Sequence, residues 1–165
     1  MLEIISNTSP LQYLHQLGLL DLLRQLVNRV TVPEAVVEEL EAGRALGYDL
    51  PDVASLGWVT IRAPATPSPM FSPDLGRGET DVLRLAIELS VGEAFVIIDD
   101  AKAREEAGRL GLKFTGTLGV LLDAKRAGLI SAVGPHLDRL DALGFRLAQS
   151  TRAAVLKLAG EVGQP

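Results

Sequence analysis

Three acidic positions, Glu39, Glu79 and the adjacent Asp99 and Asp100, stand far apart in the sequence. Each occupies a place from which an α/β fold would aim a carboxylate at one shared point. Grouped carboxylates of this kind hold hard divalent cations, which prefer oxygen ligands. A metal-binding carboxylate cluster is therefore the first chemistry to test against the elements that must position these residues.

Residues Val32 to Gly43 read as a helix, with Pro33 at its start and Gly43 past its end. Val36, Leu40 and Gly43 form a stripe at helical spacing that Glu39 flanks, whereas Glu34, Glu38 and Glu41 share the opposite, solvated face. A carboxylate beside a buried stripe is costly unless a cation, a hydrogen bond or water meets it. Glu39 is therefore the acid that needs a partner. The segment Gly78 to Leu89 repeats the pattern: Glu79 shares the apolar arc of Val82 and Ala86, while Arg84 and Glu88 point away and Asp81 lies at the edge. Glu79 also falls in the first helical turn, where the helix dipole favours an anion, so helix stabilisation is an equally open role for it.

The run Ala94-Phe95-Val96-Ile97-Ile98 is short, apolar and rich in β-branched residues, which predicts a buried parallel strand. Asp99 and Asp100 follow at its carboxyl end, the edge where open parallel sheets bind ligands. Asp100 also suits the N-cap of a helix Ala101–Leu110. One aspartate suffices for a cap, so Asp99 is left over. The first strand, Leu2–Ser6, ends in the same way at Asn7-Thr8-Ser9-Pro10, ahead of a helix with Leu11, Leu14 and Leu17 at core spacing. Asn7 is the positional counterpart of the aspartates, with helix capping as its alternative.

Further strands are predicted at Trp58–Ile61, Lys113–Thr115 and Phe145–Leu147, and a last helix from Thr151. Alternating strands and helices imply a central parallel sheet sandwiched by helices. No internal repeat interrupts residues 1–165, which read as one domain with a Pro-rich loop at 62–78 that serves as a connector or as a flap over the site.

Other chemistries fit poorly. No Gly-x-Gly-x-x-Gly follows the first strand and no P-loop motif occurs, which argues against dinucleotide binding and P-loop nucleotide hydrolysis. Cysteine is absent, excluding thiol chemistry, and His15 and His136 lack metal-ligand spacing. Hydrophobic residues make up 47% of the chain, yet no apolar run approaches a membrane span. Glu3 and the lack of a basic region before an apolar stretch argue against a signal peptide, and a cytoplasmic location is expected. A mean hydropathy of +0.24 with 22% charged residues points to oligomerisation or a bound partner. The net charge of −5 does not exclude nucleic acid, because clustered ligand acids contribute to it and local basic residues still track phosphates. Arg77 and Arg104 are the basic residues nearest the expected site, with Arg84, Lys102, Lys125 and Arg126 as further candidates. Gly116-Thr117-Leu118-Gly119 either presents Thr117 to a phosphate or forms a tight turn with Thr117 as cap. Aromatic residues are only 4% of the chain, so no base-stacking platform is apparent.

Taken in order, Ser6-Asn7-Thr8-Ser9-Pro10-Leu11, Val32-Pro33 with Glu39-Leu40, Gly78-Glu79, Ile98-Asp99-Asp100 with Arg104, and Thr115-Gly116-Thr117-Leu118-Gly119 resemble the PIN-domain family. Within it they resemble the bacterial and archaeal branch related to VapC-type toxin ribonucleases. Ala124–Ile130 and Gly144-Phe145-Arg146-Leu147 extend the likeness across nearly the whole chain. The resemblance implies a three-layer α/β/α sandwich and a ribonuclease in which acids hold Mg²⁺ or Mn²⁺ against a phosphodiester of RNA. It implies Glu39, Glu79 and Asp100 as catalytic acids and metal ligands, with Asp99 additional or alternative, and a small antitoxin protein as partner, with the Pro-rich loop a place for it to dock. Asn7 departs from the family, standing where most PIN nucleases have their first aspartate. An amide carbonyl can coordinate a hard cation but brings no charge and cannot act as a base. The resemblance thus leaves two readings open: a metal-dependent ribonuclease, and a degenerate PIN-like domain that binds RNA or a protein without cleaving. The residues alone leave a third, a structural or interaction domain whose acids are only caps and surface charges.

Overall fold

A computed structural model describes residues 2–65, 71, 73–89 and 92–162. Five parallel strands form one sheet in the order β3-β2-β1-β4-β5, where β1 is Glu3–Ser6, β2 Val30–Pro33, β3 Val59–Arg62, β4 Ala94–Ile97 and β5 Lys113–Thr115. The helices are α1 (Thr8–Gln16), α2 (Asp21–Val27), α3 (Glu34–Ala45), α4 (Arg77–Glu88), α5 (Ala101–Arg109), α6 (Thr117–Arg126), α7 (Gly134–Ala142) and α8 (Gln149–Leu158).

The period of two along each strand divides the core between the faces of the sheet. Ile5, Val96 and Ile98 pack with Val82, Leu83, Ala86, Ala103 and Ala107 of α4 and α5. Ile4 and Ile97 turn to the other face, where Leu11, Leu14, Leu22, Val36, Leu40, Leu121 and Leu137 collect. Helices therefore cover both sides of the sheet, and the fold is the expected α/β/α sandwich. Burying one large aliphatic side chain contributes about 1.5–3 kcal/mol, whereas a helix cap contributes about 1 kcal/mol. Packing against the sheet, rather than capping, positions α3 and α4.

Three expectations need correction. The segment at Val32 is not helical: Val30–Pro33 is a fully buried strand, Pro33 is the N-cap of α3, and the helix runs through Gly43 to Ala45. Gly43 lets Leu50 pack closely on the helix, since a Cβ there would stand 2.3 Å from Leu50 Cδ1 and move that side chain. The second correction concerns Phe145–Leu147, which is no strand but the connection between α7 and α8. Third, the last helix begins at Gln149, two residues before Thr151. Of the Pro-rich loop, residues 66–70 and 72 lie outside the described residues, and with them the expected flap and antitoxin contact.

Candidate functional site

β1 and β4 are neighbours, with Ser6 beside Ile97, and the order of strands reverses between them. At such a switch point the chains leaving two adjacent carboxyl ends diverge and open a crevice. The crevice here is a cavity of about 550 Å³ lined by Asn7, Ser9, Glu79, Asp99, Asp100 and Arg146, with Tyr13 and Phe145 on its wall.

Asn7 follows β1 directly, and its N–H donates to Ile97 O at 3.0 Å, which extends the strand pairing by one step. It holds the N-cap position of α1 in extended conformation, yet its side chain makes no capping bond. The residue is 2% exposed and its Oδ1 is buried without a partner. Leaving a buried carbonyl unsatisfied costs about 1–3 kcal/mol, so helix capping does not account for Asn7. Gly78, in the first turn of α4, shows what this oxygen faces. A Cβ on Gly78 would lie 2.8 Å from Glu39 Oε1, 3.0 Å from Asn7 Oδ1 and 3.3 Å from Val36 Cγ2. One carboxylate oxygen and one amide oxygen thus border the same small space, kept open by the missing side chain. Both are hard donors, and the pair suits Mg²⁺ or Mn²⁺, which bind through few protein ligands and keep several waters. Glu39 itself is exposed, and its Oε2 accepts a hydrogen bond of 2.5 Å from the Thr8 hydroxyl.

The two aspartates differ sharply. Asp99 is half-buried, and both its oxygens are engaged: Oδ1 accepts from Thr117 N–H at 2.7 Å, and Oδ2 accepts from the hydroxyls of Thr117 at 2.7 Å and Ser9 at 2.9 Å. It ties the start of α6 to the start of α1. Asp100 is exposed and caps α5, with Oδ2 accepting from Ala103 N–H at 2.9 Å. Its other oxygen takes no hydrogen bond among the described residues. Glu79 is half-buried in the first turn of α4, close over Gly76, and contributes to the cavity wall.

The basic candidates scatter. Arg77 is exposed and ion-paired with Glu38, whose carboxylate raises the Arg77 pKa. Arg84 pairs with Asp81, Lys102 with Asp74, Arg126 with Asp123, and Lys125 with Glu161. Arg104 is exposed and lies over the Phe114 ring, 5.3 Å from its centroid. Thr117 is fully buried, and its N–H and hydroxyl both go to Asp99, so it is not presented to a phosphate as the turn sequence suggested. His15 bonds Asp49, and neither histidine lines the cavity. Sequence reasoning missed Arg146, which the α7–α8 connection brings to the cavity although it follows α4 by more than fifty residues.

Among the described residues no three acids or histidines gather closely enough to hold a metal by themselves. The expected four-acid cluster is thus looser than its sequence pattern suggests, and three of its acids are held in separate hydrogen bonds, Glu39 by Thr8, Asp100 by Ala103 and Asp99 by Thr117 and Ser9.

A five-stranded parallel sheet whose strand order reverses between β1, which leads into Asn7, and β4, which leads to Asp99 and Asp100, defines an α/β protein with a switch-point site. The sequence profile of the family DUF3368, described as a PIN domain, matches residues 3–161, and the chain belongs to that family. No curated protein and no solved structure matches it.

Proposed function

We propose that this chain is a single-domain, Mg²⁺- or Mn²⁺-dependent ribonuclease that hydrolyses phosphodiester bonds at the switch-point cavity. The observation that carries this reading is the buried, unpartnered Asn7 Oδ1 facing Glu39 Oε1 across the space above Gly78. A divalent cation bound there supplies charge neutralisation at the phosphate and a more acidic water. Asn7 and Glu39 are the residues to hold it. Asp100 and Glu79 border the cavity and orient the attacking water through their carboxylate oxygens, and Asp99 positions the α1 and α6 ends around them. Because Asn7 contributes no charge, the pair would hold a cation less tightly than two carboxylates would.

The toxin role and the antitoxin partner belong to the same proposal and rest on the resemblance to VapC-type ribonucleases, self-association rests on the mean hydropathy of +0.24, and a cytoplasmic location on the lack of a basic region before an apolar stretch. Leu46 and Tyr48, 78% and 67% exposed after α3, offer apolar surface for a partner or a second copy. Asn7 also favours a second reading, a domain that binds RNA without cleaving it, since an amide cannot replace an acid that serves as base.

Incubation with a mixed pool of short RNAs, with Mg²⁺, with Mn²⁺ and with chelator, separates the two. Metal-dependent cleavage that disappears in Asp100→Asn and Glu39→Gln supports the nuclease. Silence from the parent with cleavage by Asn7→Asp supports a site disabled at one ligand, and silence from every form sinks the enzymatic reading.

A further inference from the structure

We propose that a groove leading from the acid-lined cavity past Phe145 to the end of β5 seats one nucleotide of a single-stranded RNA, with Arg104 and Arg146 gripping its phosphates. This rests on the nuclease reading and adds the form of the substrate and the residues that hold it. A second cavity, of about 420 Å³, adjoins the first and shares Asp99, Phe145 and Arg146 with it. Its own wall sets Phe114, Leu118 and Leu122 beside Arg104. The volume lies in the range that holds small ligands. An apolar wall with two cations at its rim matches the two halves of a nucleotide, a flat base and an anionic phosphate.

The charge pattern singles out these two arginines. Among the described residues every other arginine hydrogen-bonds or ion-pairs with a carboxylate, hydroxyl or carbonyl. Arg104 and Arg146 have no such partner, and both line this groove. The Arg104 guanidinium carbon lies 5.3 Å from the Phe114 ring centroid, a cation–π contact that leaves its N–H groups for phosphate oxygens. The neighbouring cavity carries Glu79, Asp99 and Asp100, so a polyanion entering it needs cations alongside. Phe145 stands between the cavities with its ring fixed edge-to-face against Tyr13, 5.0 Å between centroids at 87°. A base reaching the groove must leave its stack and meet aromatic side chains, which a single strand does and a duplex resists.

The test is fluorescence anisotropy in chelator, which prevents metal-dependent cleavage, with a labelled RNA of about eight nucleotides, within the range that single-strand folds cover. The same RNA annealed to its complement and a DNA strand of the same sequence are measured alongside, for the parent, Arg104→Ala, Arg146→Ala and Lys157→Ala. The single RNA strand is expected to bind at least tenfold more tightly than the duplex and than the DNA strand. Each arginine variant should weaken binding by about tenfold and lower the salt slope by about one, as loss of a phosphate contact does, while Lys157→Ala matches the parent. Circular dichroism confirms that each variant is folded. Arginine variants that bind like the parent, duplex binding as tight as single-strand binding, equal or tighter binding of the DNA strand, or no RNA binding at all would each overturn the proposal. Metal-dependent cleavage with unchanged binding in the arginine variants would remove the groove and leave the nuclease. Loss of binding in those variants, with no cleavage by any form under any metal, would remove the nuclease and leave the groove.

Discussion

Asn7 Oδ1 and Glu39 Oε1 face one another across the first turn of α4, 3.0 and 2.8 Å from the point where a Cβ on Gly78 would stand. Three distant segments meet there, and the residue between the two oxygens has no side chain. Replacing Gly78 by Ala pushes a methyl group against the two oxygens and the buried Val36, which should cost about 1–3 kcal/mol of stability. The expected outcome is a protein still folded by circular dichroism whose Mn²⁺ affinity, measured by titration calorimetry, falls by at least about tenfold, as loss of a preorganised ligand pair predicts. Parental Mn²⁺ binding would refute a cation at this place.

Asn7→Asp changes one atom pair and the charge. Without metal, the buried carboxylate lies near Glu39, and desolvation together with like-charge repulsion should cost about 1–3 kcal/mol of stability. With metal the sign reverses, because the ion binds the folded form alone and stabilises it by mass action. Thermal melts with and without Mn²⁺ should therefore bracket the parent, the variant melting lower in chelator and shifting further on metal addition. Equal shifts for parent and variant would show that position 7 is not a ligand.

The paired aspartates predict opposite outcomes for stability and activity. In Asp99→Asn the remaining oxygen keeps Thr117 N–H while the hydroxyls of Thr117 and Ser9 must turn from donating to accepting, so three charge-assisted hydrogen bonds become neutral ones at a cost of about 2 kcal/mol. Asp100→Asn keeps an oxygen for Ala103 N–H, and Asn is as good an N-cap as Asp, so the change should be within about 0.5 kcal/mol. Urea denaturation ranks the two. Cleavage assays should rank them the other way, with Asp100→Asn the more damaging per unit of folded protein.

These contrasts mark where sequence reasoning stops. Periodicity located Glu39 and Glu79 beside buried stripes, and the apolar run before Asp99 identified β4, because both patterns are local. Which aspartate is bonded twice over and which only caps depends on Thr117 and Ser9, eighteen and ninety residues away. The last two residues of β2, Val32-Pro33, read as helix because Pro33 suits a helix start as well as a strand end, and four residues of strand carry little period of their own. Phe145-Arg146-Leu147 alternates like a strand, yet strand identity needs a neighbour, and β5 is paired only on its β4 side. Arg146 lies in a segment that carries the family likeness, yet a basic residue in a connection has no helix face to mark it as a site residue, and only the fold brings it to the acids.

Glu161, beyond α8, gives a pH dependence unconnected with catalysis. Its carboxylate accepts from Lys125 Nζ at 2.7 Å and from the N–H groups of Val133 and Gly134 at 2.8 and 3.0 Å, which fastens the chain after α8 to α6 and to the start of α7. Partial desolvation pushes its pKa up, but Lys125 and the two N–H groups outweigh this, and the pKa falls from 4.5 to about 2. A carboxyl with a depressed folded-state pKa binds protons more weakly folded than unfolded, so its stabilisation is complete above about pH 4.5 and is lost as pH falls toward 2. Glu161→Gln should be less stable than the parent by about 1.5–3 kcal/mol at pH 7, the value of hydrogen bonds to a charged group. The gap between the two urea midpoints should close between pH 4.5 and 2. A gap that stays constant over that range would mean that Glu161 holds the end of α8 by packing alone and that its charge contributes nothing.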